Sequence, residues 1–274
     1  MKILFTTDLE GNMWKYKQLI AAAEKHQPDI VIDGGDMLPG SSGMVGDQGK
    51  FIQNQLAGVM KSLSDLHIVY LCNPGNHDEE MFDPVFEETC SKFPNVFFMD
   101  KKKVKIEKYE FIGMSWIVDY PFGNKNRCRR DTKEYKAKRS FEKPVLMADN
   151  GLVEVKDWVK RINTLPTIED ELKELVRPEK MGNAIYVMHM PPARVGLAGR
   201  EDNKEAGSQA IYEFLLANQP KMSFHGHAHS SPELSGKWKA RIDNTISIQP
   251  GQLEDDFTYV VVDIDKKEYE RFKV

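Results

Sequence analysis

Short apolar runs in this chain repeatedly end in a carboxylate, an asparagine or a histidine, and that pattern restricts the folds open to it. Residues 2–7 (KILFTT) read as a buried strand followed by Asp8 and Glu10. Ile30, Val31 and Ile32 form a second strand, followed by Gly34-Gly35-Asp36. A third, 67–72, leads into Asn73-Pro74-Gly75-Asn76-His77-Asp78. Between them, residues 13–26 carry Met13, Tyr16, Leu19, Ile20 and Ala23 at helical spacing and stop before Pro28. After a glycine-rich loop (39–49), Phe51, Ile52, Leu56, Val59, Met60 and Leu63 mark a second helix, and 79–93 a third. Strands that alternate with helices predict an α/β fold with a parallel sheet.

The second half predicts a mixed arrangement. Strands are expected at 96–99, 103–107 and 109–117, an irregular polar stretch at 119–150, and a helix over 154–176. A strand at 184–189, a helix at 206–218 and a strand at 221–225 follow. The last forty residues read as a strand meander: 237–242, 245–249, 257–264 and 267–273. The expected architecture is one domain over 1–274, with two packed mixed sheets flanked by helices and a basic insertion at about 119–150.

Five strand ends thus present hard ligands: Asp8 and Glu10, Asp36, Asn76 and His77, His189, and His227 with His229. In open α/β sheets that edge is where ligands bind. Asp8/Glu10 and His227/His229 are i, i+2 pairs, which point to one side if the backbone is extended. Carboxylates with imidazoles suit manganese, iron or zinc. Leaving His77 aside, seven candidate ligands are too many for one ion and suit two, the arrangement used to clamp a phosphoryl group.

These stretches, TDLEGN (7–12), GGDMLPG (34–40), NPGNHDEE (73–80), VMHMPP (187–192) and HGHAH (225–229), resemble in order the motifs of the calcineurin-like metallophosphoesterases. Gln249-Pro250-Gly251-Gln252 is similar to a late turn of the same family. The resemblance implies an αββα sandwich and hydrolysis of a phosphomonoester or phosphodiester by a metal-bridging hydroxide. It implies two divalent or mixed-valence ions (Mn, Fe or Zn). Asp8 and His229 would bind the first, Asp36 would bridge, and Asn76, His189 and His227 would bind the second. His77 would be the general acid. Glu10 stands where the family pattern has His; as a carboxylate it can also ligate, lowering the charge of the centre by one unit.

Each residue has an ordinary alternative: Asp8 or Asp36 as a helix cap, Gly75-Asn76 as a turn, His189 as a hydrogen-bonded core histidine. His225 reads as structural, or as a support behind the ligands. Two rival functions follow. One is a degenerate member of the family kept as a binding scaffold, its site weakened by Glu10; His77 argues against it, since a scaffold needs no general acid. The other is a small nuclease using residues 125–143, where nine Lys/Arg stand against three acids. That segment is either a basic flap recognising a nucleotide or nucleic acid, or a solvated loop. Net charge (−4) names no partner, and no apolar run reaches membrane-spanning length. The three scattered cysteines, without a Cys-x-x-Cys, lead to the expectation of a reducing cytoplasm.

Overall fold

The computed structural model describes residues 1–40, 47–137, 139–200 and 205–274. The centre of the glycine-rich loop and Lys138 of the basic segment lie outside these. Strands Lys2–Thr6 (β1), Ile30–Asp33 (β2), Val69–Cys72 (β3) and Val96–Phe98 (β4) run parallel. Their continuous apolar character follows from burial on both faces. Helix Met13–His26 starts where the Asn12 side chain accepts hydrogen bonds from the Trp14 and Lys15 amides, and ends at Gln27 in the left-handed region (φ 46°), just before Pro28. A helical stretch from Asp47 to Asp65, with one π-helical segment at Ile52–Leu56, and helix Asp83–Ser91 complete the alternation.

Lys103–Ile106 (β5) and Tyr109–Met114 (β6) pair as a hairpin. The strand stops at Met114 instead of running to 117, because the Ser115 amide donates to the Asp100 carboxylate (3.0 Å). Ile117–Val118 (β7) then pairs with Cys128–Arg129 (β8). Val145–Ala148 (β9) and Gly151–Glu154 (β10) make a tight hairpin that begins in the stretch expected to be irregular and ends just beyond it. Its signal was Asn150-Gly151, with Gly151 at φ 110°. The single helix expected over 154–176 is two short ones, Trp158–Ile162 and Ile168–Glu174. Pro166 disfavours helix at the residue before it, and Thr167 with Asp170 starts the second helix by a capping box.

Ala184–Met188 (β11), Met222–Phe224 (β12), Lys239–Ile242 (β13) and Thr245–Ile248 (β14) join β5 and β6 in a six-stranded sheet of order β13-β14-β12-β11-β6-β5. Thr258–Asp263 (β15) and Glu268–Lys273 (β16) return to the first sheet, β16-β15-β1-β2-β3-β4. The expected terminal meander is therefore two hairpins in different sheets, and the chain crosses between them through Gln249–Gln252. Each hairpin covers an edge of its own parallel core strands.

Three apolar clusters give the layers. One lies between the sheets, where Phe5 meets Phe224 with ring centroids 4.6 Å apart. The second, with Tyr16, Leu19, Leu56 and Phe86, sits under the helices on the outer face of the first sheet. The third, with Trp116, Trp158, Leu172 and Phe214, covers the outer face of the second. This is the αββα sandwich, and it brings the carboxyl ends of β1, β2, β3, β11 and β12 to one edge.

Candidate metal centre

The loops leaving these strands are laced together by backbone. The Asp8 amide donates to the Gly35 carbonyl (2.7 Å), that of Glu10 to Asp36 (2.8 Å) and that of Gly11 to Met37 (3.0 Å). The Asp78 carboxylate accepts from the amides of Met37, Leu38 and Gly75, tying the loop after β2 to the loop after β3. On the far side, Gln252 donates to the Thr7 carbonyl (3.1 Å) and Gln249 to the Ala228 carbonyl (2.7 Å). The sheet-crossing turn thus fixes ligand loops from both sheets.

Asp8, Glu10, Asp36 and His227 all have left-handed backbone, with φ of 57°, 48°, 52° and 66°. Such conformations cost roughly 1–3 kcal/mol each in non-glycine residues and persist where surroundings over-determine them. The i, i+2 argument from extended backbone therefore does not describe these pairs. Their side chains converge through tight left-handed turns. Close approach explains two glycines: a Cβ on Gly226 would lie 2.1 Å from Thr7 Oγ1, and one on Gly75 2.3 Å from Asp36 Oδ1.

The side chains meet around Asp36. Asp36 Oδ2 is 3.3 Å from His189 Nε2 and 3.7 Å from His77 Nδ1. Asp8 Oδ1 is 3.4 Å from His229 Nε2. Asn76 Oδ1 faces His227 Nδ1 at 2.7 Å and His189 Nε2 at 3.2 Å. Ligand atoms fall into three groups, each within 4.8 Å: Asp36/His189/His227, Asp8/Asp36/His229 and Glu10/Asp36/His77. All the residues singled out on the sequence are thereby brought to one place. Glu10 sits at its rim, 3.0 Å from His77 Nδ1 and 3.9 Å from His229 Nε2. His225 points away, its ring nitrogens on the Met188 and Met190 carbonyls and the Ser223 hydroxyl.

This donor set fits cations. Asp8 and Asp36 are buried, and among the described residues their ion-pair partners are all histidines. Asp36 pushes His77 up to about 10 against its burial, with Glu10 adding to the effect. Burial lowers His189, but Asp36 and Asp8 outweigh it and bring it to about 9. Burial, with charged His189 beside it, drives His227 down to about 3. Burial raises the Asp36 carboxyl, yet His189 and His77 together hold it below its ordinary value. Both buried carboxylates thus face imidazoles, besides the His77 and His227 amides, and a bound metal would take the place of protons on those rings. His189 Nδ1 sits 3.0 Å from the Gly34 carbonyl, leaving Nε2 to face the carboxylates, the outer-shell pattern of a ligating histidine.

Three contributors were missed. Asn126 donates to the carbonyls of Asn76 and Asp78, and the Tyr120 hydroxyl lies 3.4 Å from the Asn76 amide nitrogen. Both belong to the stretch without strand or helix periodicity, which carries no signal of where it folds. Asp78 was in view as the last residue of Gly-Asn-His-Asp but without a role.

The basic segment is not a row of free cations. Lys125 is buried against Asp119 (3.0 Å), Arg127 pairs with Asp83 and Asp100, and Arg129 stacks 3.6 Å over Trp116 while facing Glu171. These charges brace the insertion against the body of the protein. What the insertion offers the site is a cleft of about 760 Å³ opening beside Asp36, Asn76 and His77. No helix among the described residues is long and apolar enough to cross a membrane.

Comparison with known proteins agrees with this geometry. No curated protein sequence matches the chain. Among solved structures, one crystal structure aligns over 99% of this chain and 98% of its own, with TM-score 0.65 and 17% identity. A Thermus thermophilus crystal structure aligns over 99% and 97%, with TM-score 0.60 and 15% identity. A structure described as a novel archaeal phosphodiesterase aligns over 100% of both chains, with TM-score 0.50 and 15% identity. At these identities the likeness is one of fold. The family model for calcineurin-like phosphoesterases matches residues 1–231, which take in every strand end of the site, and the chain belongs to that family.

Proposed function

We propose that the protein hydrolyses a phosphate ester, either a monoester or a diester, at a two-metal centre built across Asp36. Family membership supports phosphoester hydrolysis in general. The observation that carries the finer reading is that Asp36 belongs to all three ligand groups, the position a bridging carboxylate requires. Asp8, Asp36 and His229 would hold one ion; Asp36, Asn76, His189 and His227 would hold the other. The donors suit manganese, iron or zinc. When bound, the ions would supply positive charge over the phosphate and acidify a water. Because the ligands span 8–229 and both sheets, the chain is proposed to act as one catalytic unit.

The remaining steps belong to side chains. Asp36 Oδ1 accepts the His77 amide (2.7 Å), which fixes the backbone of the proposed acid at the centre. The His77 imidazole lines the cleft, and the proposal assigns it the proton passed to the leaving oxygen. Asn76 is oriented by Asn126 and Tyr120. Hydrolysis of simple phosphoesters by manganese-loaded protein, abolished by chelation and restored by metal, is the expected result. Two bound ions with no turnover on any ester would favour the binding scaffold instead.

Glu10 is read here as the partner of His77, on the strength of their 3.0 Å contact. Glu10→Gln is then expected to retain both metals and lower turnover by roughly 10- to 100-fold, the usual cost of losing a carboxylate that orients an imidazole. Elemental analysis beside kinetics checks this. Loss of one metal from the variant would make Glu10 a ligand instead.

A further inference from the structure

Of the fourteen phenylalanines, only Phe122 and Phe141 are largely exposed, at 55% and 85%, and both line the cleft beside the metal centre. Leaving two aromatic rings in water at one place runs against the tendency that buries eight of the other twelve and partly buries the rest, and such apolar surface marks a ligand site. The wall they form is built. The Phe141 amide donates to the Pro121 carbonyl (2.8 Å), Val145 to Gly123 (2.8 Å) and Lys125 to Val145 (2.9 Å), so segments 121–125 and 141–145 run as a short ladder. Glu142 also accepts from the Gly123 amide (2.8 Å), and Asn124 donates to Glu79 (3.0 Å).

The wall is continuous with the site. The Tyr120 ring stands edge-on to His227 at 6.0 Å and 5.4 Å from Phe122. Among the described residues of the cleft, the only Lys or Arg is Arg200. A chain of phosphates or a nucleic-acid strand needs a run of cations along its path. Three aromatics beside the metal centre suit a flat ring attached to the phosphate.

From this we infer that the substrate is a small phosphoester whose leaving group carries an aromatic ring, aryl or nucleobase, seated on Phe122 and Phe141. The inference rests on the phosphoesterase reading above. The wall would contribute through binding, because a ring packed on it is withdrawn from water while the ester reaches the centre.

The test compares esters matched in leaving-group chemistry: benzyl phosphate against ethyl phosphate, and a nucleoside 5′-monophosphate against ribose 5-phosphate. Manganese-loaded wild type is expected to prefer the aromatic member of at least one pair by roughly 10-fold or more in kcat/KM, as loss of one aromatic stack typically costs. The pair that shows the preference tells aryl from nucleobase. Phe122→Leu and Phe141→Leu should each reduce the preference severalfold, with thermal melting confirming the fold. Hydrolysis of all four esters without an aromatic preference overturns the inference and leaves the phosphoesterase reading intact. If none of the four is hydrolysed, the monoester half of that reading falls and the diester half stands. Calorimetry with benzylphosphonate and ethylphosphonate then decides the inference: tighter benzyl binding, weakened in the leucine variants, supports it, and equal binding overturns it.

Discussion

Asp36→Asn is expected to lose turnover by roughly 10³-fold or more, since the several kcal/mol that a metal pair contributes to a phosphoryl transition state depends on both ions staying in place. The substitution is nearly isosteric, and the asparagine oxygen can still accept the His77 amide, so the loop should remain in register. What changes is charge at the one residue common to all three ligand groups. A stability readout separates this from misfolding. A ligand at 100 times its dissociation constant stabilises a protein by about 2.7 kcal/mol. For a chain of this size that is about 5–10 °C of melting temperature. Wild type should show such a rise on adding manganese; the variant should show little, and elemental analysis should find fewer than two ions. Two ions at wild-type affinity in Asp36→Asn would remove the bridging role.

His77→Ala is expected to keep both metals and lose about 10²- to 10⁴-fold in kcat on alkyl phosphates, the range for removing a general acid. The anchoring contact to Asp36 comes from the His77 backbone amide, which alanine retains, so the change falls on the imidazole alone. The loss should shrink on a nitrophenyl ester, whose leaving oxygen needs no proton. Equal losses on good and poor leaving groups would contradict the assignment and point to a role for His77 in holding Asp36 or the substrate phosphate. Phosphate binding without turnover, measured on both proteins, tells those apart.

The candidate ligands were legible in the sequence because each follows a short apolar run, and a buried parallel strand must end in a loop at the sheet edge. Asp8, Asp36, Asn76, His189 and His227 each follow such a run. The stop before Pro28 and the alternation of strand and helix needed only local rules. The two helices around Pro166 and the hairpin at Asn150-Gly151 were also written locally, in a proline and a turn dipeptide, but were masked by surrounding polar residues.

Other features had no local signal. That β13 and β14 pair in one sheet while β15 and β16 return to the other depends on which parallel edges are left uncovered, a property of the assembled sheets. The convergence of Asp8 with His229, more than two hundred residues apart, comes from left-handed turns held by backbone hydrogen bonds between loops, which spacing cannot reveal. The basic segment shows the difference most directly. Its composition counts charges, and nine cations look like a surface for polyanions. Only the fold decides that Lys125, Arg127 and Arg129 turn inward to meet Asp119, Asp83, Asp100 and Glu171, because partner carboxylates lie elsewhere in the chain. The same folding turns Phe122 and Phe141 outward over the cleft, where an apolar side chain remains in water unless a ligand covers it.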